Sequence, residues 1–305
     1  MKKLITLGIL LIIAGLTLTY KEDILEEYYH YFFSNKNKIV LGEKNDYYRD
    51  YDFLYVQNTD NFSPKNKQDL LNIFYTVINA GKDEFTFYCP DEYENCIVDV
   101  KALAKDQIAL SNINNYVHPF NSFKNISTQT DTLGKVKITL TKSYTNTDIK
   151  IINESIKNIK DEIVNQNLST EDQLKVIHDY IIDNSIYDSN RTDNNVIEYK
   201  SDIAYGPLIE GYGICGGYAD AYELLLEELG IKSYKISSVS HVWNAVNLYN
   251  NWYHIDLTWD DPVTNTGEQI IEDKFFMIST EKLLELEKEQ HNFDPNTYQE
   301  LKNTN

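Results

Sequence analysis

Apolar and polar positions alternate with a helical period soon after the first sixty residues. Ser63 and Pro64 predict a helix start, as cap and first position, and Leu70, Leu71, Phe74, Val77 and Ile78 share one face before Gly81 ends it. Period-two alternation predicts strands at 85–89 and 136–141, and a further helix is predicted at 149–163. The Tyr-rich stretch 21–45 reads as helical, and 112–123, dominated by Asn and Pro, reads as loop. These elements predict a small α+β unit over 21–165.

A second capped helix opens the remainder of the chain. Ser169-Thr170-Glu171-Asp172-Gln173 offers two capping-box registers, ahead of a stripe of Leu174, Ile177 and Ile181. His178 lies beside that stripe and reads as a structural histidine at the helix surface. Residues 188–202 form a polar loop. Tyr218, Tyr222, Leu225, Leu226 and Leu229 then recur at helical spacing, and Gly230 ends the run. Two alternating stretches follow, 240–246 and 252–258, with Asn250-Asn251 between them as a two-residue turn. The predicted fold of 166–305 is α+β, a helix packed on an antiparallel sheet.

The N-terminus has a different pattern. Met1-Lys2-Lys3 precedes a run over 4–19 that is apolar apart from Thr and Gly. A basic start before an apolar run predicts an export signal or an uncleaved membrane anchor over 1–20. The body is then expected outside the cytoplasm, secreted or at the cell surface.

Composition narrows the partners. The net charge of −19 comes with no basic block past the N-terminus. Nucleic acid is excluded on that ground, since phosphate recognition needs clustered Lys and Arg. The chain has three cysteines, Cys89, Cys96 and Cys215. Cys89 and Cys96 bracket a turn-like segment and could close a disulfide, as an exported protein permits; the alternative is three reduced thiols, two of them buried.

Cys215 carries the chemistry. It falls at the start of the helix over 215–229, where free amides and the helix dipole favour a thiolate. Gly216 and Gly217 follow in the first turn and let other chain approach the sulfur. With an even-numbered turn between the two strands, His241 and Asp256 share one face. A thiol, an imidazole and a carboxylate are the parts of a nucleophilic acyl-transfer site. Trp243 lies on that face and could shield the pair. His254 lies there too, so parity alone leaves the base open, and Asp260 and Asp261 are rival carboxylates. A metal site of His241, His254, Asp256 and Asp260 is conceivable, without the helical spacing that zinc enzymes use.

Three motifs together carry a resemblance. Gly-x-Cys-x-Gly-Tyr-Ala at 213–219, His-x-Trp-Asn at 241–244 and Trp-Tyr-x-x-Asp-x-Thr-Trp-Asp at 252–260 are similar to the transglutaminase-like superfamily, over about 174–262. The resemblance implies a papain-like core with Cys215 as nucleophile, His241 as base and Asp256 as the residue orienting it. It implies an oxyanion site built on the Cys215 amide, with Tyr205 as candidate second donor. Gly216, Gly217, Trp243 and Asn244 become candidates for the oxyanion site or substrate groove. Val242 and Gly216 depart from the usual pattern and bear on the groove.

The expected activity is acyl transfer on amide bonds of extracellular proteins, at a Gln side chain or a peptide bond, through a thioester. No metal or organic cofactor is implied. Expected partners are a protein or peptide substrate, cell-wall components in an amidase variant, and a membrane through the N-terminal segment. The rival from another class is a silent surface binding module with the same fold.

Overall fold

The computed structural model describes residues 20–21, 39–163, 168–262 and 270–303. The chain divides into Met1–Val40 and Leu41–Asn305. The signal or anchor expected over 1–20, and most of the helix expected over 21–45, lie outside the described residues. Among the described residues no helix is long and apolar enough to cross a membrane.

The unit from Leu41 begins with helix α1, Lys67–Asn79. Its cap is Asn66, which accepts from the Asp69 amide at 3.0 Å, so the helix starts three residues after the Ser63-Pro64 signal. Asp69 in turn accepts from the Lys65 amide at 2.7 Å, tying down the residue ahead of the cap. Gly81 follows the helix at φ +68°, the left-handed turn that glycine favours.

Strands β1 (Glu84–Tyr88), β2 (Phe123–Thr130) and β3 (Lys135–Lys142) form an antiparallel sheet in the order β1-β3-β2. Between β1 and β2 lie helices α2 (Cys96–Leu103) and α3 (Gln107–Tyr116). A disulfide joins Cys89 to Cys96, with Cα atoms 5.7 Å apart. Helix α3 corrects the loop expected over 112–123. Asp106 caps it, accepting from the amides of Ile108 and Ala109, and Leu110, Ile113 and Tyr116 are buried. Burial of those three outweighs the poor helix propensity of the asparagines around them.

Helices α4 (Asn146–Ile163) and α5 (Thr170–Asp183) come next, the latter capped by Ser169 accepting from the Asp172 amide. Strands β4 (Ile186–Tyr187) and β5 (Tyr212–Gly213) pair in parallel, and the short helix α6 (Ser189–Asn194) lies in the stretch expected as loop. Helix α7, Cys215–Glu228, packs on a second antiparallel sheet of β6 (Ser233–Ser237), β7 (Val242–Leu248) and β8 (Asn251–Ile255), in that order. The hairpin turn is Tyr249-Asn250, at φ 54° and 66°, one residue earlier than expected. The turn still has two residues, so the parity that sets the faces is unchanged. Helix α8, Thr280–Leu286, packs against β8.

Helix α7 is apolar on most sides. Tyr218, Ala221, Tyr222, Leu224, Leu225 and Leu226 are buried in a cluster with Leu174, Ile177 and Ile181 of α5 and Ile152, Ile156 and Ile159 of α4. The same helix carries two buried acids. Glu223 pairs with buried Arg49, whose Nη1 also donates to the Tyr116 carbonyl at 3.0 Å. Asp220 pairs with Lys235 and accepts from the Tyr144 hydroxyl. Residues ahead of 165 are thereby bonded to the helix that carries Cys215.

Candidate active site

Cys215 is the first residue of α7. Ile214, at the cap position, brings no side-chain acceptor, so the first-turn amides of the helix are left without a side-chain cap. Cys215 is half-buried and unbridged. Gly216 and Gly217 are required by the chain that crosses them. A Cβ on Gly217 would meet the Ser201 carbonyl oxygen at 2.3 Å and that of Ile203 at 3.1 Å, and one on Gly216 would meet that of Asp202 at 2.9 Å. The segment 201–207 thus lies directly against the start of the Cys215 helix. The Ile214 amide donates to the Ser201 carbonyl at 2.8 Å and fixes it there.

His241 immediately precedes β7 and Asp256 immediately follows β8. His241 Nε2 is 2.5 Å from Asp256 Oδ2, both residues being buried. Cys215 lies close enough to act on the His241 ring electrostatically. Burial works against the imidazolium, but the charge and hydrogen bond of Asp256, together with Cys215, outweigh it and raise His241 to about 10. Burial likewise opposes the Asp256 carboxylate, yet His241 and then His291 hold it well below the usual carboxylate range. The second carboxylate oxygen, Oδ1, accepts from the amides of Thr258 and Trp259 at 3.0 and 3.2 Å.

Trp243 stacks on His241 with ring centroids 5.7 Å apart and planes 13° from parallel. Its indole covers the His241 ring. Asn244 points away from this face. It is buried and donates to the Ala219 carbonyl at 3.0 Å, tying β7 to the Cys215 helix. Tyr205 lies on the segment 201–207, half-buried, with the Lys200 ammonium 4.4 Å above its ring.

The rival groups are placed elsewhere. His254 Nδ1 accepts from the Trp243 indole at 3.0 Å, and its Nε2 lies 2.9 Å from Thr280 Oγ1. Burial, then the charge of His291, lowers His254 to about 3, so it is neutral. Asp260 holds His178, 3.2 Å from its Nε2, and Asp261 accepts from the Tyr218 hydroxyl. His178 is fully buried, not at the helix surface as expected; its Nδ1 meets Asp179 at 2.9 Å.

Two residues at the site escape the sequence reading. Tyr187, beside Gly213 in the β4–β5 pairing, is raised by burial and then by the charge of Cys215. His291 is fully buried with Nε2 2.8 Å from Asp256 Oδ2. Helix-like or strand-like spacing does not surround either residue, and His291 is 35 positions from Asp256. His241, Asp256 and His291 bring potential ligand atoms within 4.8 Å of one another. Asp256 Oδ2 lies within hydrogen-bond distance of Nε2 of both histidines.

Residues 157–257 match the model of the transglutaminase-like superfamily. No curated protein matches the chain. Among solved structures, the chain is similar to a TGase at 16% identity and a TM-score of 0.32, covering 45% of each chain. It is also similar to a protein from Cytophaga hutchinsonii, provisionally described as a cysteine protease, at 14% identity and a TM-score of 0.28, covering 48% of this chain and 65% of that one. The chain therefore spans less than two thirds of either structure.

Proposed function

We propose that this chain, whose residues 157–257 form a transglutaminase-like domain, is a thiol-dependent acyl-transfer enzyme with Cys215 as nucleophile, His241 as base and Asp256 as orienting group. The observation that carries the reading is the placement of His241, 2.5 Å from Asp256 and within electrostatic reach of Cys215 at a helix start.

The chemistry follows from that placement. Asp256 engages Nε2 of His241, which leaves Nδ1 for the thiol. The ring takes the Cys215 proton, and the thiolate attacks an amide carbonyl. The amides at the start of α7 receive the oxyanion, with the Cys215 amide as first donor. Tyr205 remains the second-donor candidate, and Tyr187, which the charge of Cys215 reaches, is another. The His241 imidazolium then protonates the leaving amine, and a thioester forms. Water completes hydrolysis, or a Lys amine completes transamidation.

The substrate proposed is an extracellular protein, at a Gln side chain or peptide bond. The Cys89–Cys96 disulfide supports a location outside the cytoplasm. Membrane attachment through 1–20 is a further part of this proposal.

The test is alkylation of Cys215 across pH, beside a His241→Ala variant, followed by a donor scan with Gln peptides, unmodified peptides and cell-wall fragments. Fast alkylation well below the free-thiol range near about 8.5, lost in the variant, is expected. Slow alkylation unchanged in the variant would overturn the enzyme reading in favour of a silent binding module. Cleavage of wall fragments alone would move the substrate to cell-wall amides.

A further inference from the structure

His291 meets the carboxylate oxygen that His241 uses. Asp256 Oδ2 lies 2.5 Å from His241 Nε2 and 2.8 Å from His291 Nε2. On its far side, His291 Nδ1 lies 2.9 Å from Glu287 Oε2 and 3.2 Å from the Glu287 carbonyl oxygen. Both ring nitrogens of His291 thus face carboxylates, which can only accept. A neutral imidazole has one N–H and would satisfy one side; the ring with two N–H groups satisfies both.

We propose that His291 is a positioning residue of the acyl-transfer site, holding the same Asp256 oxygen that His241 uses and drawing part of the carboxylate's charge off the His241 imidazolium. The inference rests on the acyl-transfer reading given above.

The surroundings fix His291 in this role. Its ring is fully buried and stacks on Phe275 at 5.4 Å and 15°, with Trp243 edge-on at 4.8 Å. Glu287, at the end of α8, fixes its far nitrogen. The charged groups facing these rings come from four elements: Cys215 from α7, His241 ahead of β7, Asp256 after β8, and Glu287 and His291 after α8. Neutral His254 on β8 completes the set.

Sharing Asp256 has a chemical use. A buried carboxylate devoted to one imidazolium would hold its proton tightly, yet His241 must release that proton to the leaving amine. A second donor on the same oxygen, and a second positive ring 5.3 Å from His241, both weaken that hold. Packing alone would account for a buried aromatic ring at 291, but not for two donors on one oxygen.

The test is NMR titration of the His241 ring in isotope-labelled protein, for the wild type and for His291→Leu, His291→Gln and Glu287→Gln. Circular dichroism and thermal melting check that each variant is folded. The His241 midpoint is expected to rise by about one pH unit in His291→Leu, with a smaller rise in His291→Gln, which keeps a donor without the charge. The alkaline limb of acyl transfer should move with it. Should His291→Leu fail to fold, the rise in His291→Gln decides. An unmoved His241 midpoint in the folded variants overturns the role of His291. Wild-type alkylation that ignores His241→Ala overturns the acyl-transfer reading instead, so the two failures are told apart.

Discussion

The Trp243 indole donates to His254 Nδ1 at 3.0 Å while its ring lies stacked on His241. One tryptophan therefore bonds one histidine and covers the other. His254 is bound up in support, with Thr280 on its other nitrogen, and has no ring nitrogen left for a thiol. His254→Ala is expected to cost about 2–4 kcal/mol of stability through the cavity and the orphaned indole. Its effect on acyl transfer should be far milder than that of His241→Ala, which removes a base worth about 10²–10⁴-fold. Denaturation curves and turnover of both variants check this, and the reverse order of activity would show the wrong base had been chosen.

Cys215→Ala should reduce acyl transfer by roughly a thousand-fold or more and leave the melting curve intact. The thiol is half-buried and outside the apolar cluster that anchors α7, so its loss opens little cavity. Retained activity in the purified variant would remove Cys215 from the mechanism.

The pH response has a definite sign. His241 is raised from 6.5 to about 10, so its contribution to stability is fully present below 6.5 and is lost as pH rises through about 10. Acyl transfer should fall over the same alkaline range, as the imidazolium that protonates the leaving amine disappears. Chemical denaturation of wild type and His241→Ala should show a stability gap that narrows as pH rises from 6.5 and closes by about pH 10.

How much of this was legible in the sequence depends on distance along the chain. Cys215, His241 and Asp256 are placed by local rules: a helix start, and the parity of a two-residue hairpin turn. Even with the turn at Tyr249-Asn250, the parity survives, so the faces come out right. Helix α3 was hidden because its asparagines are poor helix formers, while the burial that stabilises Leu110 and Ile113 is tertiary. His291 was hidden for the same reason. Its partners Asp256 and Glu287 meet it through packing of the chain beyond β8, which no periodicity encodes.

Gly217→Ala should be damaging despite the small change. The added methyl group would run into the backbone oxygens of Ser201 and Ile203, which cannot swing aside as a side chain would. A loss of about 1–3 kcal/mol is expected, with slower Cys215 alkylation as segment 201–207 shifts. An unaltered melting temperature would show that this segment yields freely.

The Cys89–Cys96 bridge leaves one thiol in the chain. Intact-mass measurement after alkylation without reductant should find a single modified cysteine. Replacing both bridging residues by Ser should lower stability by roughly 2.5 kcal/mol, the loop-entropy value for so short a ring. Three modified cysteines would exclude the bridge and weaken the extracellular proposal.

The Arg49–Glu223 pair bears on what can be cut away. Glu223 sits inside the helix that begins with Cys215, and its counter-charge arrives from 174 positions earlier. A fragment trimmed to the family match at 157–257 would keep Cys215, His241 and Asp256 and still strand Glu223, while removing the Tyr144 partner of Asp220. An uncompensated buried charge costs about 3–5 kcal/mol, comparable to the whole margin by which many domains stay folded. The smallest piece able to hold its nucleophile in place is therefore larger than the piece that supplies the reacting groups, and its boundary is set by an arginine that never meets the substrate.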